Sequence, residues 1–421
     1  MFGVILLAAA LASTSDASTI TAHTAVQADA VVDSIGVNVH LHNADTIYGD
    51  FSLIKYLLSN LHVRHVRDGL IDTTWTTYYD RHIALGKLGI KSIFITTPTV
   101  SDSVLLNWPS RVPGEFEGYE APNEWDVNGG SKWAKTLSTF TAHLYKVVKS
   151  SSANASYLVI GPSLTTAQAF TDLSAAAQST GSNLSASCDY SNVHDYFAGR
   201  NPGTSGWAAN GYGSIAYNMN LVKSVWPDKK VYATETGYYT MYQGDGIPED
   251  IEALYVPRLV LEQYRNGILR SYLYELIDES STTEGTEGHF GLAHPDASIK
   301  PAFRSIQKLS AILSDSGTSF TTTPLSYSLV TSDSSVHQLL MQKRNGTYYL
   351  ALWRERQLYD VTTQKKATQG TSTVELTFAN TPKALGTYQF MSNGDAIAAS
   401  VSAVSHLALQ ISDSVVLLKI Q

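Results

Sequence analysis

The amino-acid sequence predicts an α/β fold: a (β/α)8 TIM barrel followed by an antiparallel β-sandwich. Two observations carry this expectation. From about residue 34 to 310, short apolar runs alternate with longer segments of helical period. From about residue 325 the pattern changes to that of strands joined by turns. A doubly wound open sheet is the alternative for the first region, but no G-x-G-x-x-G follows its first apolar run.

The strand runs are, in order, "SIGVNVHL", "HVRHVRDG", "KSIFITTP", "FEGYEAPNE", "SYLVIGPS", "YSNVHDYF", "KVYATETGY" and "RSYLYELIDE". Helical stretches such as "DFSLIKYLLSNL", "WAKTLSTFTAHLYKVVKSS" and "IEALYVPRLVLEQYRNG" lie between them. "LIKYLLSNL" repeats its apolar positions at steps of three and four, as one buried helical face requires. "PAFRSIQKLSAIL" supplies the last helix, with Pro301 in its first turn. "SDSGTSFTTTP" reads as a linker. "HQLLMQKRNGTYYLALWRE" then reads as two strands around Asn345-Gly346, a two-residue hairpin signal. "TVELTF", "GTYQFM", "LALQIS" and "VVLLKI" continue the sandwich.

Four segments are expected on this reading. Residues 1–17 form a signal peptide, with an apolar run from Phe2 to Leu11 and a Ser15-Asp16-Ala17 cleavage pattern. No Lys or Arg precedes Lys55, so the basic segment of such a leader is missing. Residues 18–33 supply an N-terminal strand to the sandwich, 34–315 the barrel and 316–421 the sandwich itself. A secreted or periplasmic location follows from the leader, and no other stretch is long and apolar enough to enter a membrane.

Of the 421 residues, 43% are hydrophobic and 16% charged, a globular composition. The net charge is −8 and no basic stripe occurs, which argues against nucleic acid as a partner. That charge neither requires nor excludes an anionic substrate, and oligomeric state is not legible. Cys188 is the only cysteine, so no intrachain disulfide forms, and its setting is that of a small buried hydrophobe. Asn154, Asn183 and Asn345 head glycosylation sequons.

Chemistry concentrates in carboxylates. Catalytic groups of a parallel barrel sit at the C-terminal ends of its strands. Glu124 ends the fourth run and Glu235 ends the seventh, so both can face one pocket. Such a pair is what glycoside cleavage needs: one carboxyl group protonates the leaving oxygen, and the other attacks the anomeric carbon or activates water. Asn123-Glu124 on strand four with Glu235 on strand seven resembles the clan A retaining glycoside hydrolases. The resemblance implies Glu124 as acid/base, Glu235 as nucleophile and Asn123 on the sugar 2-hydroxyl. It extends to Arg67 near the nucleophile, to His194 and Tyr196 as its supports, and to "FGLAHPDASIKPAF" after strand eight. The C-terminal sandwich points to the branch with β-xylosidases, glucosylceramidases and heparanase-like glucuronidases. Two features depart from that pattern. Tyr272, Tyr274 and Glu275 stand where a strand-eight tryptophan is common, and Trp125 stands where proline commonly follows the acid.

Other residues carry weaker expectations. Glu120 reads as a buried hydrogen-bonded support, and Asp126 as a turn or cap residue. Trp207 and Tyr212, on the loop "GRNPGTSGWAANGYG", read either as sugar-stacking residues or as packing for their own loop. Tyr238, Tyr239 and Tyr242 carry the same ambiguity. His40 and His42 on one strand are weak metal evidence, so neither metal nor organic cofactor is expected. The implied activity is retaining cleavage of O-glycosidic bonds in a carbohydrate. A non-catalytic sugar-binding barrel is the rival. An aldolase would need a lysine at a strand end, which none of the runs offers.

Overall fold

The computed structural model describes residues 19–241, 243–279, 285–368 and 370–421. The expected leader at 1–17 and Tyr242 lie outside the described residues. A closed parallel barrel is formed by Ile35–Asn38, His65–Gly69, Lys91–Ile95, Phe116–Glu120, Leu158–Ile160, Tyr190–Tyr196, Lys230–Gly237 and Ile268–Leu273. These are strands one to eight below. Each falls within one of the apolar runs or overlaps it by most of its length. Strand eight pairs in parallel with both strand one and strand seven, which closes the ring.

The helix after strand one, Phe51–Leu61, shows how local sequence sets an element. Asp50 accepts from the Leu53 amide (3.1 Å) and starts the helix, a cap contributing about 1 kcal/mol. Ile54, Leu57, Leu58 and Leu61 then fall on one buried face. Truncating one such leucine to alanine costs about 2–5 kcal/mol. His62 ends the helix in the left-handed conformation.

Two helices contain an internal proline, and both are repaired in the same way. The sequence reading names no helix between strands three and four, yet Asp102–Arg111 forms one, with Pro109 inside it. Proline removes the amide that would bond the carbonyl four residues back. Here that carbonyl belongs to Leu105, and the buried Tyr119 hydroxyl donates to it instead. In helix Glu249–Arg265, Pro257 frees the Ala253 carbonyl, which accepts from the Ser305 hydroxyl (2.8 Å).

The C-terminal region is a two-sheet sandwich. One sheet orders Thr21–His23, Leu325–Val330, Ser372–Phe378 and His406–Ile411. The other orders Ala396–Val401, Leu385–Phe390, Val416–Ile420, Tyr348–Arg354, Val336–Gln342 and Val26–Gln27. In this larger sheet Leu350, Leu352 and Leu418 face the sandwich core, whereas Tyr349, Ala351, Trp353 and Leu417 join the barrel core. Burial on both faces explains why "YYLALW" reads as one apolar run rather than an alternation.

Two expectations need correction. The described part of segment 18–33, residues 19–33, is not one strand: Thr21–His23 and Val26–Gln27 enter opposite sheets, and Ala28–Asp33 is a helix whose Ala28, Val31 and Val32 pack into the barrel core. The Asn345-Gly346 turn is not a two-residue loop. The Gly346 amide donates to Lys343 O (2.9 Å) and the Lys343 amide to Thr347 O (2.8 Å), leaving Arg344, Asn345 and Gly346 as a three-residue loop with Gly346 at φ +84°. Among the described residues no helix is long and apolar enough to cross a membrane.

Candidate active site

Strand seven is irregular where it matters. Val193 of strand six pairs with Ala233, but His194 pairs with Glu235. On the other side Ser271 pairs with Ala233 and Leu273 with Thr236. Relative to both neighbours, strand seven therefore carries one extra residue between Ala233 and Thr236. In a regular strand adjacent side chains point to opposite faces. The bulge lets Thr234 and Glu235 both reach the barrel interior. Thr234 Oγ1 meets Asn192 Oδ1 (2.8 Å) and Glu120 Oε1 (3.1 Å), and Glu235 meets Arg67.

Arg67, fully buried on strand two, organises the site. Its Nε and Nη2 donate to the two oxygens of Glu120 (2.7 and 2.8 Å). Nη1 donates to Glu235 Oε1 (2.7 Å) and Asn38 Oδ1 (2.9 Å), and Nη2 also donates to Asn123 Oδ1 (2.6 Å). Those five bonds use every N–H of the guanidinium. Glu120 accepts further from Asn192 Nδ2 (3.1 Å) and is fully buried, so it is a support in the structure. Glu235 keeps one oxygen toward Tyr196, whose hydroxyl donates to Oε2 at 3.0 Å. Burial raises the Glu235 carboxyl pKa, but the charges of His194 and Arg67 and the bonds from Arg67 and Tyr196 outweigh it. The group is held below the ordinary carboxylate value. Burial and the Glu235 charge push the Tyr196 phenol well up, so it donates and does not ionise.

Glu124 sits apart from this arrangement. The fourth strand stops at Glu120, so Glu124 is not at its end. It occupies the loop beyond, at the cap position of the short helix Trp125–Asn128, in left-handed conformation with φ +43°. Few non-glycine residues adopt it, and those that do cluster at functional sites. The Ser163 hydroxyl holds this loop, accepting from the Glu124 amide (3.1 Å) and donating to Asn123 Oδ1 (3.3 Å). Asp126 is neither turn nor cap: it accepts from the Thr165 amide and hydroxyl (3.1 and 2.5 Å), tying the loop to the one after strand five.

His194 contacts Glu124 (Nδ1, 2.7 Å) more closely than Glu235 (3.4 Å), so its main partner is not the one the resemblance implies. Its tautomer follows from the network. Thr234 Oγ1 has one proton and faces two pure acceptors, Asn192 Oδ1 and Glu120 Oε1. His194 Nε2, 3.2 Å from that oxygen, must therefore donate to it. Nδ1 and the Glu124 carboxyl group are left to share a single proton between them.

Glu124 and Glu235 both line a cavity of about 520 Å³ at the C-terminal mouth of the barrel. Asn123, Tyr196, Trp207, Tyr212 and Tyr274 line it too. A second cavity of about 240 Å³ adjoins it across Glu124, Tyr196, Trp207 and Tyr212. Trp207 and Tyr212 pack edge to face (5.4 Å), as packing for their own loop requires, and they also form cavity wall. Tyr238 and Tyr239 both border the larger cavity, but Tyr238 is buried, with its hydroxyl on Arg200 O (2.9 Å). Tyr272 lies in the closed floor of the barrel with Ile93, Ile160 and Tyr232. Glu275 lines neither cavity. It is buried, accepts from the Tyr48 hydroxyl (2.8 Å) and lies 3.2 Å from His40, whose ring packs against Tyr274.

Sequence reasoning misses Asn38, Asn192, Thr234 and Ser163. Asn38 and Asn192 leave a trace in the sequence, as lone amides inside apolar strand runs. Glu287, which also lines the larger cavity, leaves none, whereas Phe290 beside it opens the segment "FGLAHPDASIKPAF". Cys188 is buried and its thiol is pushed up to about 12 by that burial, an inert setting. His40 and His42 do not converge, since His42 turns to Asp68 (3.4 Å). Among the described residues, Glu124–His194–Glu235 and His40–Glu275–Glu279 each bring three ligand atoms within 4.8 Å of one another. In the first, the guanidinium of Arg67 beside Glu235 already supplies the positive charge a cation would bring.

Solved structures share this architecture. A family 39 glycoside hydrolase from the gut symbiont Bacteroides cellulosilyticus WH2 matches with TM-score 0.64 and 17% identity, over 94% of this chain and 82% of that one. The family 39 enzyme of Xanthomonas axonopodis pv. citri matches with TM-score 0.59 and 15% identity, over 94% and 95%. A monomeric β-xylosidase from Caulobacter crescentus CB15 matches with TM-score 0.58 and 15% identity, over 95% and 97%. No protein-family model matches the sequence, and no curated protein matches it. The chain has the fold of the family 39 glycoside hydrolases, a closed parallel barrel that carries an antiparallel sandwich.

Proposed function

We propose that the chain is an exported glycoside hydrolase that cleaves β-O-glycosidic bonds of a carbohydrate with retention of configuration. The observation that carries the reading is the gap between the two carboxyl groups: an oxygen of Glu124 and one of Glu235 lie within 4.8 Å. Retaining enzymes keep their carboxyl groups about 5–5.5 Å apart, whereas inverting ones leave about 6.5–9.5 Å for a water molecule. The structural neighbours, one of them a β-xylosidase, support the same reaction class. Export rests on the apolar run Phe2–Leu11.

Each step then has a residue. Glu124, sharing one proton with His194, gives it to the glycosidic oxygen as the bond to the anomeric carbon breaks. Glu235, kept ionised by Arg67 and Tyr196, attacks that carbon and forms a glycosyl ester. Glu124, now a carboxylate, takes a proton from water, whose oxygen attacks the anomeric carbon and displaces the Glu235 carboxylate. Asn123 has its carboxamide oxygen occupied by Arg67 and Ser163, which leaves its NH2 as the donor to a sugar hydroxyl.

Proton NMR of the first-formed sugar tests the stereochemistry. Incubation with 4-nitrophenyl β-xyloside, glucoside and galactoside should yield the β-hemiacetal before mutarotation. An initial α-product would mean inversion. Binding of glycans with no turnover of any aryl glycoside or polysaccharide would mean an adhesive barrel.

A further inference from the structure

We infer that the β-sandwich is a working part of the substrate site, and that Glu355 acts through Asn201 as a positioning residue for Trp207. This rests on the glycosidase reading for its consequence in turnover, though not for its geometry. Glu355 directly follows the sandwich strand Tyr348–Arg354 and is almost completely buried. Five donors saturate it. Arg258 gives Nε to Oε1 (3.1 Å) and Nη2 to Oε2 (2.8 Å), and Trp353 gives Nε1 to Oε1 (2.9 Å). The remaining two come from the barrel loop after strand six: Asn201 Nδ2 (2.8 Å) and the Gly203 amide (3.0 Å), both to Oε2.

That loop carries the aromatic wall shared by the two cavities. Arg200, next to Asn201, lays its guanidinium over the Trp207 ring at 4.4 Å, and its carbonyl is held by Tyr238. The Trp207 amide donates to Tyr212 O (3.0 Å), which folds the loop back on itself. Gly213, at φ +83°, lets the indole lie against the backbone, since a Cβ there would stand 2.0 Å from the ring. The loop's own contacts therefore shape the wall, while its attachment to the body of the protein runs through a sandwich carboxylate and the Tyr238 hydroxyl. A buried bond from a neutral amide to a charged acceptor is among the stronger kinds. Its loss leaves the Gly203 amide as the loop's one bond to Glu355 and loosens that side without opening the Arg258–Glu355 pair.

Replacing Glu355 would strand the Arg258 charge and endanger folding, so the test uses Asn201→Ala, Trp207→Ala and the double variant in the full chain. Hydrogen exchange needs no substrate. In Asn201→Ala, amides between Gly203 and Trp207 should exchange faster while strands six and seven keep their protection. Unchanged loop exchange overturns the anchor. With the best of the three 4-nitrophenyl glycosides, Asn201→Ala should raise KM about fivefold and leave kcat within about twofold. Trp207→Ala should raise KM as well, and the double variant should add little, because both changes act on one contact. Additive losses, or a fall in kcat with KM constant, overturn the positioning role. A wild type that turns over no aryl glycoside or polysaccharide fails the glycosidase reading instead, and the exchange result then decides the anchor by itself.

Discussion

Two buried arginines organise two parts of this molecule with opposite results. Arg67 on strand two and Arg258 on the helix after strand seven each pair with a carboxylate that is shielded from water. Arg258 meets Glu355, both of whose oxygens are filled by five donors. Nothing is left over, and the pair seals the seam between barrel and sandwich. Arg67 also saturates one carboxylate, Glu120, but it spends one further bond on Glu235. Glu235 faces a cavity and takes few donors for a charged group, so it is held ionised without being satisfied. What separates structure from chemistry here is therefore not the ion pair. It is whether the carboxylate keeps lone pairs directed at open space.

The comparison can be broken at either end. Glu235→Gln should give the largest effect, a loss of turnover of about ten-thousand-fold or more. The melting temperature should hold, because Arg67 retains Glu120. Near-normal turnover in material free of wild type would remove Glu235 as nucleophile. Arg258→Met should do the reverse. Removing one partner of a buried pair leaves the other charge uncompensated and costs about 3–5 kcal/mol. Urea unfolding should show that loss, and kcat of the folded fraction should change little. If the stability cost is under about 1 kcal/mol, the seam pair is not the lock proposed.

A third network sharpens the contrast through pH. His82 is buried between Glu115 (3.0 Å) and Asp68 (3.3 Å), on the outer side of the strand that carries Arg67. Burial opposes its charge, but the two carboxylates outweigh that and push it up to about 9. A raised histidine stabilises the fold fully below its unfolded value and loses that contribution as pH climbs through its folded one. Between about pH 6.5 and 9 the chain should lose roughly 3 kcal/mol, and His82→Gln should flatten that slope. An identical slope in the variant would place the titration elsewhere.

Much of this was legible in the sequence, for a physical reason. Eight strands covered by helices must read as short apolar runs, so the barrel and its order could be counted. Arg67, Glu124 and Glu235 stand out because charge next to such runs needs a reason. Edge strand Ala396–Val401 was missed because it is half exposed and rich in alanine and serine, with no apolar face to show. Helix Asp102–Arg111 was missed because Pro109 argues against it, and only the distant Tyr119 hydroxyl repairs the break. The bulge that turns Glu235 inward leaves no local mark, since it is a property of pairing with two neighbours. Glu355 is the clearest case: its partners Asn201 and Arg258 lie 154 and 97 positions away.

The central claim is that Glu124 and Glu235 act as a retaining pair, and Glu124→Ala tests it most directly. General acid catalysis typically contributes about a hundred- to ten-thousand-fold. A sugar alkoxide needs that proton, whereas a nitrophenolate leaves without it. The variant should lose cleavage of a natural disaccharide by about that factor and still form the glycosyl-enzyme from a 4-nitrophenyl β-glycoside. Added azide, which needs no general base, should then speed release and give the β-glycosyl azide. An α-azide, or equal loss on both substrates with no rescue by azide, would contradict the account.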